Sequence, residues 1–176
     1  MTDEFVVLVD ENDHPIGIME KMEAHRKAVL HRAFSIFLFN PRGEMLLQQR
    51  AHHKYHSPGL WTNTCCSHPR EGESLEEATK RRLREEMGMQ CNMRKAFDFI
   101  YKADVGQGLT EHEFDHVFIG VSDDQPVINP EEVADWKYMT VKEVVNSMAS
   151  NPEQYTVWFR IAMVHLEKYL KTNNLQ

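Results

Sequence analysis

The run Ala33-Phe34-Ser35-Ile36-Phe37-Leu38-Phe39 constrains the fold of this chain more than any other segment. A strand with one face in water alternates apolar and polar residues. A run that barely alternates, rich in aromatic and β-branched side chains, is read as a strand covered on both faces. Asn40-Pro41-Arg42-Gly43 follows it as a turn, and Met45 to Gln49 returns as the second arm of a hairpin.

The remaining punctuation extends this pattern. Phe5 to Val9 reads as a first strand, ended by the turn-forming stretch from Asp10 to Pro15, with Ile16 to Met19 as its partner. From Gly72 to Gly88 the periodicity becomes helical: Ser74 with Glu77 forms a capping box and Gly88 is a C-terminal stop. Thr110 to Gly120 and Val133 to Tyr138 read as strands. Thr140 with Glu143 caps a helix through about Met148, and Trp158, Ile161, Ala162, His165 and Tyr169 mark an amphipathic helix near the C-terminus. The fold class is α/β, with strands and helices interleaved. At 176 residues, one domain over 1–176 is expected.

Charge and cysteine content narrow the function. Lys and Arg number 20 and Asp and Glu 27, a net charge of −7. Such a surface repels phosphate, so neither nucleic acid nor an anionic membrane is an expected partner. An anionic small molecule would have to meet a local basic cluster. With 3 cysteines, two of them the adjacent Cys65 and Cys66, no disulfide framework or four-cysteine zinc site can be built. Free thiols point to a reducing, cytoplasmic setting. The apolar run at Phe5 to Val9 is too short for a signal segment or a membrane span.

Ten histidines are the surplus that needs explaining. Glu111 and Glu113, at i and i+2 of a strand, share one face roughly 6–7 Å apart. Asp115 continues the row. Such carboxylates are either a solvated strand face or are held together by a cation or a shared proton. His25 and His31 can share a metal only if the chain bends between them, since a straight strand would put them about 20 Å apart. His68 lies in a rigid Ser67-His68-Pro69 loop. Together, His25, His31, His68, Glu111 and Glu113 would offer the mixed N/O donor set that suits Mn²⁺, Mg²⁺ or Zn²⁺. Cys66 shares the His68 loop, whereas Cys65 and Cys91 read as packing residues. His52, His53 and His56 read as loop residues.

The segment from Ser67 to Met89 resembles a Nudix box, in which Glu73, Arg81, Leu83, Glu85, Glu86, Gly88 and Met89 match. Ser67 replaces its opening glycine, and Arg82 replaces the glutamate after Arg81. Three further stretches resemble the type 1 isopentenyl diphosphate isomerases, a branch of the Nudix superfamily. These are Glu20-Lys21 with His25, then Trp61-Thr62-Asn63-Thr64-Cys65-Cys66-Ser67-His68-Pro69, then Tyr101 with Glu111-His112-Glu113.

The resemblance implies a mixed β-sheet sandwiched between helices, with a Nudix core over about 31–165 and an added N-terminal strand segment. It implies Cys66 and Glu113 as an acid/base pair with Tyr101 beside the carboxylate. His25, His31, His68, Glu111 and Glu113 would hold one divalent metal, and Glu86 a second Mg²⁺ that arrives with the substrate diphosphate. Lys21, Arg50, Lys54 and Arg82 would grip that diphosphate, and Trp158 would lie over the isoprenoid carbons. The implied activity is interconversion of isopentenyl and dimethylallyl diphosphate in isoprenoid biosynthesis, by a monomer or homodimer. Two other readings compete: a Nudix diphosphohydrolase, against which Ser67, Arg82 and Cys66 argue, and a metal-binding module without catalysis.

Overall fold

In the computed structural model, which describes residues 4–173, strand β3 (His31–Phe39) sits inside a nine-stranded mixed sheet. One edge of β3 pairs in parallel with β8 (Leu109–Val121), from His31 opposite Glu113 to Phe39 opposite Val121. Its other edge is shared along its length. Leu8 of β1 (Phe5–Val9) faces His31, β6 (Cys65–Ser67) faces Phe34 to Ile36, and Met45 of β4 (Glu44–Arg50) faces Phe39. β2 (Pro15–Glu20) pairs outside β1, and β9 (Val133–Thr140) pairs with β4.

Ala33 to Leu38 are all buried, as a strand covered on both faces requires. Its two faces feed different cores. Phe34, Ile36 and Leu38 pack with Ala78, Leu83 and Met87 of helix α2 (Leu75–Met87). Phe37 packs on the opposite face with Val144 of α3 (Val141–Ser150) and Phe159, Ala162 and Met163 of α4 (Val157–Thr172). The sheet is therefore sandwiched between helices, as expected.

Local chemistry sets the helix limits. Ser74 and Glu77 close the capping box of α2, which starts at Leu75 rather than near Gly72. Gly88 stops it at φ +62°, where a Cβ would approach the Val127 carbonyl oxygen to 2.4 Å. Thr140 and Glu143 cap α3 in the same way. No helix among the described residues is long and apolar enough to cross a membrane.

Two elements lie outside the sequence expectations. A seven-residue helix α1 (Lys21–Lys27) opens on Glu20, whose carboxylate accepts from the Met22 and Glu23 amides, and closes on Ala28 at φ +55°. A long edge strand β7 (Met93–Gly106) pairs antiparallel with β8 through a turn in which Gln107 and Gly108 both take positive φ. Its Arg, Lys and Asp residues mask the strand pattern, and such charges suit an edge that must not pair with another chain.

β3 and β4 pair only at Phe39 and Met45, and the wedge between them is filled by the Trp61–Ser67 segment. The Thr64 hydroxyl accepts from the Leu38 amide at 2.9 Å and donates to the Leu46 carbonyl at 2.6 Å, bridging the parted strands. Asn63 donates to the Ile36 carbonyl at 3.0 Å and to the Cys65 carbonyl at 3.2 Å. In a buried wedge these polar side chains supply bonds that strand pairing no longer provides. The result is a rigid seat for Cys66.

Candidate metal and acid–base site

Register brings the expected residues together. On β8, Glu113 lies opposite both His31 of β3 and Tyr101 of β7, while Cys66 of β6 lies opposite Ser35 of β3. Residues paired across a sheet project to the same side. Glu111, Glu113 and Asp115 thus form a row beside His31 and Ser35. All three carboxylates are buried, which excludes the solvated strand face.

The bend needed between His25 and His31 is made by the end of α1 and left-handed Ala28. Both imidazoles are fully buried, with ring centroids 5.4 Å apart, and His68 lies 6.1 and 5.0 Å from them. His25 Nε2 is 3.0 Å from Glu111 Oε1, His31 Nε2 is 3.4 Å from Glu113 Oε2, and His68 Nε2 is 2.8 Å from the same oxygen. Ser67 has no positive φ, so a side chain there creates no strain.

The donor set fits a divalent cation. His25 Nδ1 lies 2.6 Å from the Lys21 carbonyl, and His31 Nδ1 lies 2.9 Å from the Val29 carbonyl. A carbonyl only accepts, so each Nδ1 bears the proton, and a neutral ring turns the lone pair of Nε2 toward a carboxylate. Lone pair facing lone pair needs a positive charge between them. Protons can supply it: although burial disfavours the imidazolium, the adjacent Glu111 and Glu113 carboxylates outweigh this and raise both histidines. A metal ion supplies the same charge with the rings neutral. His31, His68, Glu111 and Glu113 each bring a ligand atom within 4.8 Å of one another, while His25 groups instead with His56 and Glu111; His31 Nε2 and Glu111 Oε2 are buried without a hydrogen-bond partner. The carboxyls are poised as anions: the imidazoles of His25 and His56, each with Nε2 3.0 Å from Oε1, hold Glu111 well below the usual range against its burial. The His31 and His68 rings hold Glu113 down against burial and the charge of Glu111.

Tyr101 donates its hydroxyl proton to Glu113 Oε1. Burial and the Glu113 charge push the phenol up, which keeps it a donor. Cys66 donates to Asn63 Oδ1 at 3.0 Å and touches the Ser35 hydroxyl at 3.6 Å. Burial and the charge of Asp115 push its thiol up as well, so Cys66 holds its proton at neutral pH. Ser35 donates to Asp115 at 2.7 Å, and burial and Glu113 raise that carboxyl well above its ordinary value.

One cleft is lined by Cys66, Tyr101, Glu113 and Trp158 together with Lys21, Arg50, Lys54, Arg82 and Glu86. The basic cluster expected on an acidic chain is therefore formed, but carboxylates are interleaved with it. Lys21 pairs with Glu4 at 2.8 Å, Lys54 with Glu132, and Arg82 with Glu86 and with Glu85 at 2.6 Å. Arg50 lies over the Trp158 ring at 5.1 Å. Arg81 joins Glu73 at 2.7 Å. Arg81 and Arg82 of α2 thus pair with the Nudix-box carboxylates Glu73, Glu85 and Glu86.

His56 corrects the loop reading. Its backbone is in a loop, but the side chain is 3% exposed, with Nε2 3.0 Å from Glu111 Oε1. Gln48, which holds Glu86 at 2.9 Å, was also not foreseen. Only the Lys54-Tyr55-His56 cluster ahead of Ser57-Pro58 could have drawn attention to His56, and Gln48 carries no sequence signal.

The NUDIX domain family matches residues 29–159. The isopentenyl-diphosphate Delta-isomerase of Pectobacterium atrosepticum is 51% identical over 164 residues, covering 93% of this chain and 92% of that protein. Isopentenyl-diphosphate Delta-isomerase 2 of Aromatoleum aromaticum is 52% identical over 153 residues, covering 87% and 81%. Among solved structures, a Deinococcus radiodurans protein superposes with a TM-score of 0.71 at 24% identity, covering 84% of this chain and 90% of that one. A MutT protein from Methanosarcina mazei gives 0.67 at 18% identity, covering 82% and 95%. At those identities the structures share the fold alone.

Proposed function

The chain belongs to the isopentenyl-diphosphate Delta-isomerase family of NUDIX-domain enzymes, and on that premise we propose that it interconverts isopentenyl and dimethylallyl diphosphate with Cys66 and Glu113 as its acid/base pair. The observation that carries this reading is one cleft lined by the Cys66 thiol and the Glu113 carboxyl, carried on separate strands, beside a buried His/Glu donor set.

The two isomers differ in the position of one double bond. Moving it requires a proton added at the terminal alkene carbon and another removed from C2. An unactivated alkene is a very weak base, so positive charge develops on the tertiary carbon. Cys66 and Glu113 would exchange the two protons, one giving and the other taking. Tyr101 holds the Glu113 carboxylate and steadies its charge. Trp158 offers a π face to the cationic carbon, worth up to ~2 kcal/mol when desolvated, and shields it from water.

His25, His31, His68, Glu111 and Glu113 would hold a divalent ion, Mn²⁺, Mg²⁺ or Zn²⁺, whose charge orients and tunes Glu113. Lys21, Arg50, Lys54 and Arg82 would bind the diphosphate, with Glu86 reaching a Mg²⁺ that accompanies it. Against the hydrolase alternative stand Arg82, where the Nudix box carries a glutamate, Ser67 in place of its opening glycine, and the presence of Cys66.

The test is turnover of isopentenyl diphosphate with divalent metal in D₂O, followed by NMR. Deuterium-bearing dimethylallyl diphosphate is expected, and Cys66→Ala or Glu113→Gln abolishes it while the fold persists. Phosphate release without isomerisation would make the chain a hydrolase, and wild-type turnover in either variant would defeat the acid/base assignment.

A further inference from the structure

His56 is the imidazole beside the candidate metal centre that the proposed chemistry leaves unused. It is 3% exposed, and its Nε2 is fully buried without a hydrogen-bond partner although it lies 3.0 Å from Glu111 Oε1. A buried polar atom left idle beside a carboxylate is costly, so its position calls for a purpose.

Its neighbours distinguish it from the ligand histidines. Carbonyl oxygens hold the Nδ1 protons of His25 and His31 and leave their Nε2 lone pairs for a metal. His56 Nδ1 instead faces the Ser57 hydroxyl at 3.4 Å, a group that can donate or accept and so does not hold the proton there. Nε2 faces the Glu111 carboxylate, which only accepts and draws the ring proton to that nitrogen. Ser57 itself adopts φ +49° immediately before Pro58, a backbone that a serine rarely takes. That strained residue turns the His56 ring inward, against Tyr55 at 4.4 Å, His25 at 6.0 Å and Trp158 at 5.4 Å.

We infer that His56 is a positioning residue of the metal centre: its Nε2–H holds Glu111 Oε1, so that the unpartnered Oε2 is the oxygen presented to the ion. The His56 ring also meets Trp158 edge-on and its carbonyl accepts from Arg50 at 3.1 Å, which ties the metal centre to the aromatic wall of the cleft. This inference rests on the His/Glu set binding a metal.

Metal affinity separates the two. Metal-free wild type, His56→Leu and His56→Gln are titrated with Mn²⁺ and with Zn²⁺ against a chromophoric chelator, with circular dichroism as the check on folding. Wild type that takes up neither ion refutes the metal centre itself. With wild type binding, His56→Leu is expected to lose about tenfold to a hundredfold in affinity, the usual effect of removing an outer-sphere partner. His56→Gln, which keeps a donor, is expected to stay within about threefold. Leucine binding as tightly as wild type, or glutamine failing as badly as leucine, overturns the role. X-ray absorption on the Zn²⁺-loaded proteins must give the same number of bound imidazoles in wild type and His56→Gln; one fewer in the variant would make His56 a ligand instead. Should His56→Leu fail to fold, the glutamine variant decides alone, near-wild-type affinity supporting the role and weak binding overturning it.

Discussion

Replacing Tyr101 with phenylalanine isolates one hydrogen bond at the centre of the proposed chemistry. Tyr101 is 6% exposed and Glu113 8%, so water cannot take the place of the lost hydroxyl. The ring itself stays, packed against Phe99 at 5.8 Å, and the fold should be unaffected. What disappears is the donor to Glu113 Oε1; His68 and His31 serve only Oε2. A hydrogen bond to an ionised group contributes ~1.5–3 kcal/mol. If that bond steadies the reacting carboxylate, kcat falls about tenfold to a few hundredfold, at ~1.4 kcal/mol per factor of ten. KM should change little, because Tyr101 has no part in holding the diphosphate. Losing a donor to the charged form also raises the Glu113 carboxyl, so the limb of the pH–rate profile that reports it moves to higher pH. Steady-state turnover followed down through the carboxylate range, from about pH 8 to about pH 4, with bound metal quantified in each sample, measures both effects. A kcat within twofold of wild type on an unshifted profile would show that the Tyr101 bond does nothing for the reaction.

Two further outcomes follow from the buried ionisable groups. Asp115 is 1% exposed and its carboxyl is raised by burial and the Glu113 charge, so its contribution to stability is full below the unfolded value near 3.8 and is lost as pH climbs toward the folded one. Asp115→Asn keeps the Ser35 bond without that loss, and should stabilise the protein at pH 7 by about 1 kcal/mol or more, ~2–4 °C in Tm, with the gain shrinking toward pH 4; an equal or lower Tm at pH 7 would contradict it. In the metal-free protein, His25 and His31 are raised, so their stabilisation is complete below about 6.5 and fades as pH rises through the folded values. An ion needs those rings neutral, and the Tm gained on adding metal should therefore grow from pH 6 to 8.5; a pH-independent gain would mean that these imidazoles are not ligands.

Much of the site was legible in one dimension. Glu111 and Glu113 announce a shared strand face by their spacing, and the Trp61–Pro69 segment and the altered Nudix box identify the family by residue type alone. The unbroken Ala33–Phe39 run required a strand covered on both sides, because an apolar surface left in water is costly wherever it lies. Capping boxes at Ser74 and Thr140 and the stop at Gly88 are equally local, since each acts within one turn of helix.

Other features depended on partners far away in the chain. β7 was not recognised because its pairing with β8, not its own charged sequence, makes it a strand. His56 read as a loop histidine because nothing nearby shows that Glu111, 55 residues on, lies 3.0 Å from its ring. Charge required a basic cluster and the family resemblance named Lys21, Arg50, Lys54 and Arg82 for it, whereas the pairing of Lys21 with Glu4 and of Lys54 with Glu132 was visible only in three dimensions. Sequence alone determined the residue types, the caps of α2 and α3 and the two-sided burial of β3, because propensity, capping and hydrophobic period are short-range. The tertiary structure decided which imidazole meets which carboxylate oxygen, because strand register and the wedge between β3 and β4 place side chains to within an ångström, and a metal site or a proton transfer depends on distances of that size.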